Sequence, residues 1–271
     1  MDVFVISLGS SAQRREHVAR QFDRADVRFS FFAAVLGDEG RGSFAAVDER
    51  RFLLGTGREP APGEIGCFAS HRRLWQACVD RNEPVLIMED DAQLEAGFPA
   101  ALGAAGMLID GHGFLRLADE GPRTCAKTPI RSHGEFVVHY CSRYPYGALC
   151  YAVAPRVAAA FLAASQVLTS PVDLFIKRFW AHGQPLFALC PYSVSASAHR
   201  HQSTIEYRLK SRPTWDLKLL RTAQKASDAV QRARFNRHMI AAWTSAGGDS
   251  APTPASEPQS ARARLTPHQS A

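Results

Sequence analysis

No apolar run in this sequence approaches the ~20 residues needed to span a bilayer. The first residues, MDVFVISLGS, lack both a basic leader and a long apolar core, so no export signal is expected and a cytosolic location follows. The six cysteines form no CxxC pair, and none stands at zinc-finger spacing from a histidine. They read as reduced thiols filling apolar positions. There is no Gly-Lys dipeptide, which excludes the phosphate-binding loop of P-loop NTPases. No internal repeat is visible. Excess positive charge is confined to one place. The net charge is +6, yet Tyr207–Ile240 alone holds nine Lys/Arg against two Asp, or +7. The remainder is near neutral, so no nucleic-acid surface covers the whole protein.

What is present is an alternation of short apolar runs and amphipathic stretches in a 271-residue chain that is 46% hydrophobic and 21% charged. VFVISL (3–8), VRFSFFAAV (27–35), PVLIM (84–88), GFLRLAD (113–119), EFVVHYC (135–141), GALCYAVA (147–154) and PLFALC (185–190, the last) read as strands. Helices are expected over 10–25, 61–82, 98–109, 155–165, 171–182 and 214–243, several opened by Pro or by a capping Ser. The Gly-rich span 37–60 reads as loop with at most a short helix. Such alternation predicts an α/β fold, a mostly parallel Rossmann-like sheet with helices on both faces. Residues 1–206 would form the catalytic domain and 207–244 a basic helical extension. Residues 245–271, Ser/Pro/Ala-rich and poor in large apolar groups, would form a disordered tail.

One stretch carries chemistry on its face. PVLIMEDDAQL (84–94) drives a buried strand into Glu89, Asp90 and Asp91. Ligands of open α/β sheets bind beyond the carboxyl ends of strands. Three carboxylates there repel one another unless a cation neutralises them. A hard divalent ion, Mg2+ or Mn2+, suits oxygen donors and bridges to phosphates. A solvated turn or helix cap is the plainer alternative.

Six segments extend the pattern: VFVISLGSSAQRR, APGEIGCFASHRRLWQACV, PVLIMEDDAQL, GALCYAVAP, SPVDLFI and HQSTI, in this order. Together they closely resemble bacterial lipooligosaccharide galactosyltransferases and their collagen-modifying relatives, glycosyltransferase family 25, over roughly residues 2–206. The resemblance implies a GT-A-like fold, a UDP-sugar donor and, usually, galactose transferred with inversion. On that basis Asp91 is the first choice for ligating Mn2+ or Mg2+, with Glu89 beside it and Asp90 in support near the ribose. Arg14 and Arg15 follow the first strand, where the nucleotide should sit, and can pair with phosphate or stack on uracil. Ser70 and His71 are expected on the donor side, and His199 and His201 could offer an imidazole to the metal or the diphosphate. An inverting transfer needs one base for the acceptor hydroxyl. Asp173 is preferred for it and Glu64 is the rival. Each residue has a plainer alternative: a surface arginine, a satisfied helix histidine, or, for Asp173, a complement to the helix dipole.

The basic stretch 214–243 places Trp215, Leu219 and Leu220 among cations. It reads as a helix lying on an anionic membrane surface, which would bring a lipid-linked oligosaccharide acceptor within reach. Packing on the catalytic domain is the alternative. The expected partners are UDP-galactose and an oligosaccharide or glycolipid, with no nucleic acid. Two other classes stay open: a metal-dependent nucleotide-sugar phosphohydrolase and a non-catalytic sugar-binding protein.

Overall fold

In the computed structural model, which describes residues 1–119, 126–197 and 215–245, the chain opens with the expected strand and helix. β1 (Asp2–Ser7) leads into α1 (Ala12–Ala25), and β2 (Ser30–Ala33) follows. The Gly-rich span is more ordered than expected, with α2 (Gly37–Gly40), β3 (Ala46–Val47) and α3 (Glu49–Thr56). Asp48 caps α3 by accepting the Arg51 N–H at 2.9 Å, a start signal that the surrounding glycines obscured. Next come α4 (Pro62–Arg81), β4 (Val85–Glu89), β5 (Ala92–Leu94), α5 (Phe98–His112) and β6 (Phe114–Arg116). β7 (Ala126–His133), β8 (Phe136–Arg143), β9 (Cys150–Val153), α6 (Pro155–Ala164) and β10 (Val167–Leu168) follow. The helix expected over 171–182 is broken at Arg178 into α7 (Val172–Lys177) and α8 (Phe179–His182). β11 (Phe187–Cys190) is not the last strand, since β12 (Val194–Ala196) pairs with β5. The long α9 (Trp215–Ser245) closes the described chain.

Eight strands form one sheet in the order β2-β1-β4-β9-β6-β11-β8-β7. Only β9 and β8 run against the rest, each antiparallel to both of its neighbours. The sheet is therefore mostly parallel in direction, and β4 lies inside it between β1 and β9. A strand buried on both faces reads as an unbroken apolar run, which is why VLIM carries no polar residue.

Alternation sorts the strand residues into two cores. Val3, Val5, Leu86 and Met88 pack with Phe22 of α1 and Phe98 and Leu108 of α5. Ile6, Val85 and Ile87 pack with Phe68, Leu74 and Trp75 of α4 and Phe161 of α6. The result is an α/β/α three-layer domain. Five cysteines among the described residues are free, as expected.

Gly66 explains part of the GEIGC segment. A Cβ there would stand 2.3 Å from the Val35 carbonyl oxygen, where the chain leaving β2 crosses α4. Gly66→Ala should therefore force backbone apart and lower stability by roughly 1–3 kcal/mol. Gly103→Ala, on an exposed turn of α5 with nothing within 4 Å, should instead raise it by about 0.5–1 kcal/mol. Urea melts of the two variants check this, and a shift of the same sign in both would refute the packing argument.

α9 is docked on the domain along one stripe. Met239 is buried, and the Phe235 ring lies 5.2 Å from Phe179. Asn236 accepts from Tyr140 Oη at 2.7 Å and donates to the Ser142 carbonyl at 3.0 Å. Arg178 pairs with Asp228 at 2.7 Å, and Arg232 sits over Trp180. Elsewhere on its surface α9 exposes Trp215, Leu219, Val230 and Ile240, together with Lys218, Lys225, Arg234 and Arg237. Among the described residues no helix is long and apolar enough to cross a membrane.

Candidate active site

The same alternation divides the acidic triplet. Glu89, in step with Val85 and Ile87, turns toward α4, and its Oε1 lies 3.5 Å from His71 Nε2. Asp90 turns the other way, toward β1 and α1. Its Oδ2 accepts from Ser7 Oγ at 2.7 Å and its Oδ1 from Arg14 Nη1 at 3.1 Å. Asp91 lies past the strand, where its carbonyl oxygen accepts the Ser197 N–H at 2.8 Å. Gln21 of α1 clamps the next residues, donating to the Ala92 carbonyl at 3.2 Å and accepting the Leu94 N–H at 2.7 Å. Three adjacent carboxylates are thus tolerated because backbone geometry spreads them over different neighbours.

His71 is fully buried, and its orientation is fixed from behind. Its Nδ1 is 2.7 Å from Tyr151 Oη, which also accepts from Trp75 Nε1 at 2.9 Å. Burial first of all pushes the Tyr151 phenol well above its usual range, so it stays a neutral hydroxyl. Such a hydroxyl can give its proton to Nδ1 or accept one from it, so either neutral tautomer of His71 is served.

Four acidic residues from three parts of the chain act on Cys67 through their charge. Burial pushes its thiol well up, and the charges of Glu89, Asp173, Asp91 and Glu64 push it further. Asp173 is half-buried in the first turn of α7, and its Oδ1 accepts the Leu174 N–H at 2.8 Å. Glu64 is differently occupied. Arg58 Nη1 and Nη2 grip its two oxygens, and the Ala61 N–H donates to Oε2 at 3.1 Å. Those Glu64 hydrogen bonds are the chief cause of a raised Arg58 guanidinium, with the Asp173 charge adding to it.

The expected residues are therefore partly gathered and partly not. Glu89 stands against His71, and the charges of Glu64, Glu89, Asp91 and Asp173 all act on Cys67. Arg14 pairs with Asp90, and Arg15 stacks over the Phe31 ring at 4.0 Å. Ser70 is fully buried and ties backbone together, donating to the Gly66 carbonyl and accepting the Val35 N–H, each at 2.8 Å. His199 and His201 lie outside the described residues.

Residues 1–176 match the sequence model described as Glycosyltransferase family 25 (LPS biosynthesis protein). The chain belongs to this family. A "Glycosyltransferase 25 family member" of Drosophila melanogaster is 30% identical over 216 residues, 71% of this chain and 34% of that protein. "Lipooligosaccharide biosynthesis protein lic2B" of Haemophilus influenzae is 37% identical over 92 residues, 34% of each. The "Lacto-N-neotetraose biosynthesis glycosyltransferase LgtB" of Neisseria meningitidis serogroup B is 35% identical over 100 residues, 36% of this chain and 35% of that one. The matched part of the chain thus spans about a third of the length of these curated relatives. Among solved structures, the inositol-1-phosphate CTP transferase from T. maritima is similar with a TM-score of 0.37 and 13% identity, covering 82% of this chain and 94% of that one.

Three residues that touch Glu64 or His71, namely Arg58, Tyr151 and Trp75, were not singled out by sequence, and neither was the buried Arg116. Arg116 is 2% exposed and donates to the carbonyls of Ala118, Asp119 and Gly147 and to Tyr144 Oη. A lone arginine inside the apolar run GFLRL was a visible signal, because a buried guanidinium must find several acceptors.

Proposed function

We propose that the chain is an inverting hexosyltransferase that takes galactose from UDP-galactose and passes it to a terminal sugar of a lipooligosaccharide or lipopolysaccharide. The observation that carries this is the placing of Glu89 and Asp91 at the carboxyl end of β4, with the charges of both and of Asp173 acting on the same Cys67 thiol. The donor sugar rests on the family and on the sugar products its relatives are named for. The donor set on β4 is all carboxylate, which fits Mn2+ or Mg2+. Asp91 and Glu89 would hold such an ion, which would offset the charge growing on the leaving diphosphate. Asp90 and Arg14 position this corner through their ion pair. Asp173 would take the proton of the acceptor hydroxyl as its oxygen attacks the anomeric carbon and the bond to UDP breaks.

The outward face of α9 favours an anionic membrane as the place where a lipid-linked acceptor is met. Exposed Trp215, Leu219, Val230 and Ile240 would enter the headgroup boundary, while Lys218, Lys225, Arg234 and Arg237 would each contribute about 1 kcal/mol near the surface. Lys225→Glu with Arg234→Glu and Arg237→Glu should release the protein from anionic vesicles and spare activity on a free sugar. Arg232 is left out because it packs on Trp180. Vesicle co-sedimentation unchanged by the triple variant would exclude this role for α9.

A donor screen tests the main reading. UDP-galactose, UDP-glucose, UDP-N-acetylgalactosamine and UDP-galacturonate are each incubated with Mn2+, and UDP release is followed with and without sugar acceptors. Acceptor-dependent release, greatest with UDP-galactose, is expected. Release that ignores the acceptor would point to a phosphohydrolase, and no release from any donor would overturn the assignment.

A further inference from the structure

The side of the cleft formed by α4 holds donors that the transfer chemistry above does not use. Cys67 and His71 are four residues apart on α4 and so share a face. Cys67 Sγ, a ring nitrogen of His71 and a Glu89 carboxylate oxygen all lie within 4.8 Å of one another, with His71 Nε2 3.5 Å from Glu89 Oε1. We propose that these three groups form a site for a borderline-soft divalent cation of the Zn2+ class, which shares Glu89 with the hard-ion site expected at Asp91 and differs from it by its sulfur and nitrogen donors.

Three observations support it. First, His71 Nε2 is buried and makes no hydrogen bond, although the Glu89 carboxylate lies 3.5 Å away. A buried polar atom left unsatisfied is costly, and a cation would complete it. Second, the other ring nitrogen already has an oxygen partner in Tyr151, itself anchored by Trp75. With Nδ1–H donated to that oxygen, Nε2 presents a lone pair into the cleft. Metal-binding histidines are typically fixed in this way from behind. Third, the spacing is close to what a tetrahedral ion demands. Zn–S of about 2.3 Å and Zn–N or Zn–O of about 2.0–2.2 Å place ligand atoms roughly 3.3–3.7 Å apart. The His71–Glu89 separation of 3.5 Å already fits, and the Cys67 sulfur stands within 4.8 Å of the other two donors. A sulfur–nitrogen–oxygen set selects zinc-class ions over Mg2+, which wants oxygen alone. Three protein ligands leave one position open to water. Uptake exchanges the Cys67 thiol proton for the metal, and no electron is transferred.

The test uses the full chain stripped of metal, with Zn2+ affinity read by competition against a chromophoric chelator and Co2+ as an optical probe. One Zn2+ per chain and a thiolate-to-cobalt charge-transfer band in the near ultraviolet are expected. Cys67→Ser should remove the band and weaken Zn2+ by about 100-fold or more, whereas Cys190→Ser should keep both. Absence of the band in the unaltered protein, or Zn2+ affinity unchanged in Cys67→Ser, would overturn the proposal. If Cys67→Ser does not fold, alkylation of the unaltered protein decides: Zn2+ should protect Cys67 from iodoacetamide, and no protection refutes the site. Asp91→Asn should bind Zn2+ as the unaltered protein does. The proposal therefore stands or falls apart from the transferase reading.

Discussion

Asp91→Asn is expected to lower sugar transfer by about 10²–10³, or ~3–4 kcal/mol, while the melting temperature stays close to that of the unaltered chain. The two halves of that expectation come from different atoms. The main chain at this corner is pinned by Ser197 N–H on the Asp91 carbonyl and by Gln21 on Ala92 and Leu94. None of these bonds uses the Asp91 carboxylate, so an isosteric amide leaves them in place. What the amide removes is one negative charge where a cation would sit against the leaving diphosphate. Initial rates with UDP-galactose, Mn2+ and a soluble acceptor measure the first half, and thermal melts the second. Full turnover by the variant, or by the unaltered protein in EDTA, would sink the metal reading.

Asp173→Asn and Glu64→Gln should fail in different ways. Loss of a general base costs about 10²–10⁴ in the transfer step and leaves donor binding nearly intact. That outcome is expected for Asp173→Asn. Glu64 is a poorer choice for the base, because both its oxygens are held by Arg58 and one also by the Ala61 N–H. Its carboxylate is 6% exposed, so the amide would leave the guanidinium with a neutral partner in a poorly hydrated place. Charge-assisted bonds of this kind are worth roughly 1.5–3 kcal/mol. Glu64→Gln should therefore melt earlier and still turn over. Calorimetric donor affinity, transfer rate and melting temperature, measured side by side, separate the two roles. Near-normal transfer by Asp173→Asn, together with a folded Glu64→Gln that binds donor and does not turn over, would assign the base to Glu64.

Some of this was legible from sequence for definite physical reasons. VLIM reads as a strand buried on both faces, which places the acidic run behind it at the sheet's carboxyl edge, and β4 ends there. The helix over 61–82 announced itself by Pro62, Glu64 and its apolar spacing, and α4 follows within a residue at each end. Other features were hidden because they depend on partners far along the chain. Nothing near Glu64 says that Arg58 will fold back on it, and nothing near Ser70 says that its hydroxyl will serve Val35. Strands of two or three residues, such as β3, β10 and β12, carry too few positions to show a period. The helix expected over 171–182 reads as continuous from composition, yet the backbone departs from helical geometry at Arg178, where the side chain turns to Asp228 of α9. The i, i+4 pair Cys67 and His71 was in plain view, and its meaning depended on Glu89 arriving from another element.

Opposite facings for Glu89 and Asp90 make the length of β4 a matter of parity. Deleting one residue between Val85 and Met88 would leave the composition almost untouched and turn every later side chain to the other face. Asp90 would then stand in Glu89's place toward His71, Asp91 in Asp90's place toward Ser7 and Arg14, and Glu89 in the buried place of Met88. The stretch from Val85 to Glu89 therefore acts as a ruler counted in pairs.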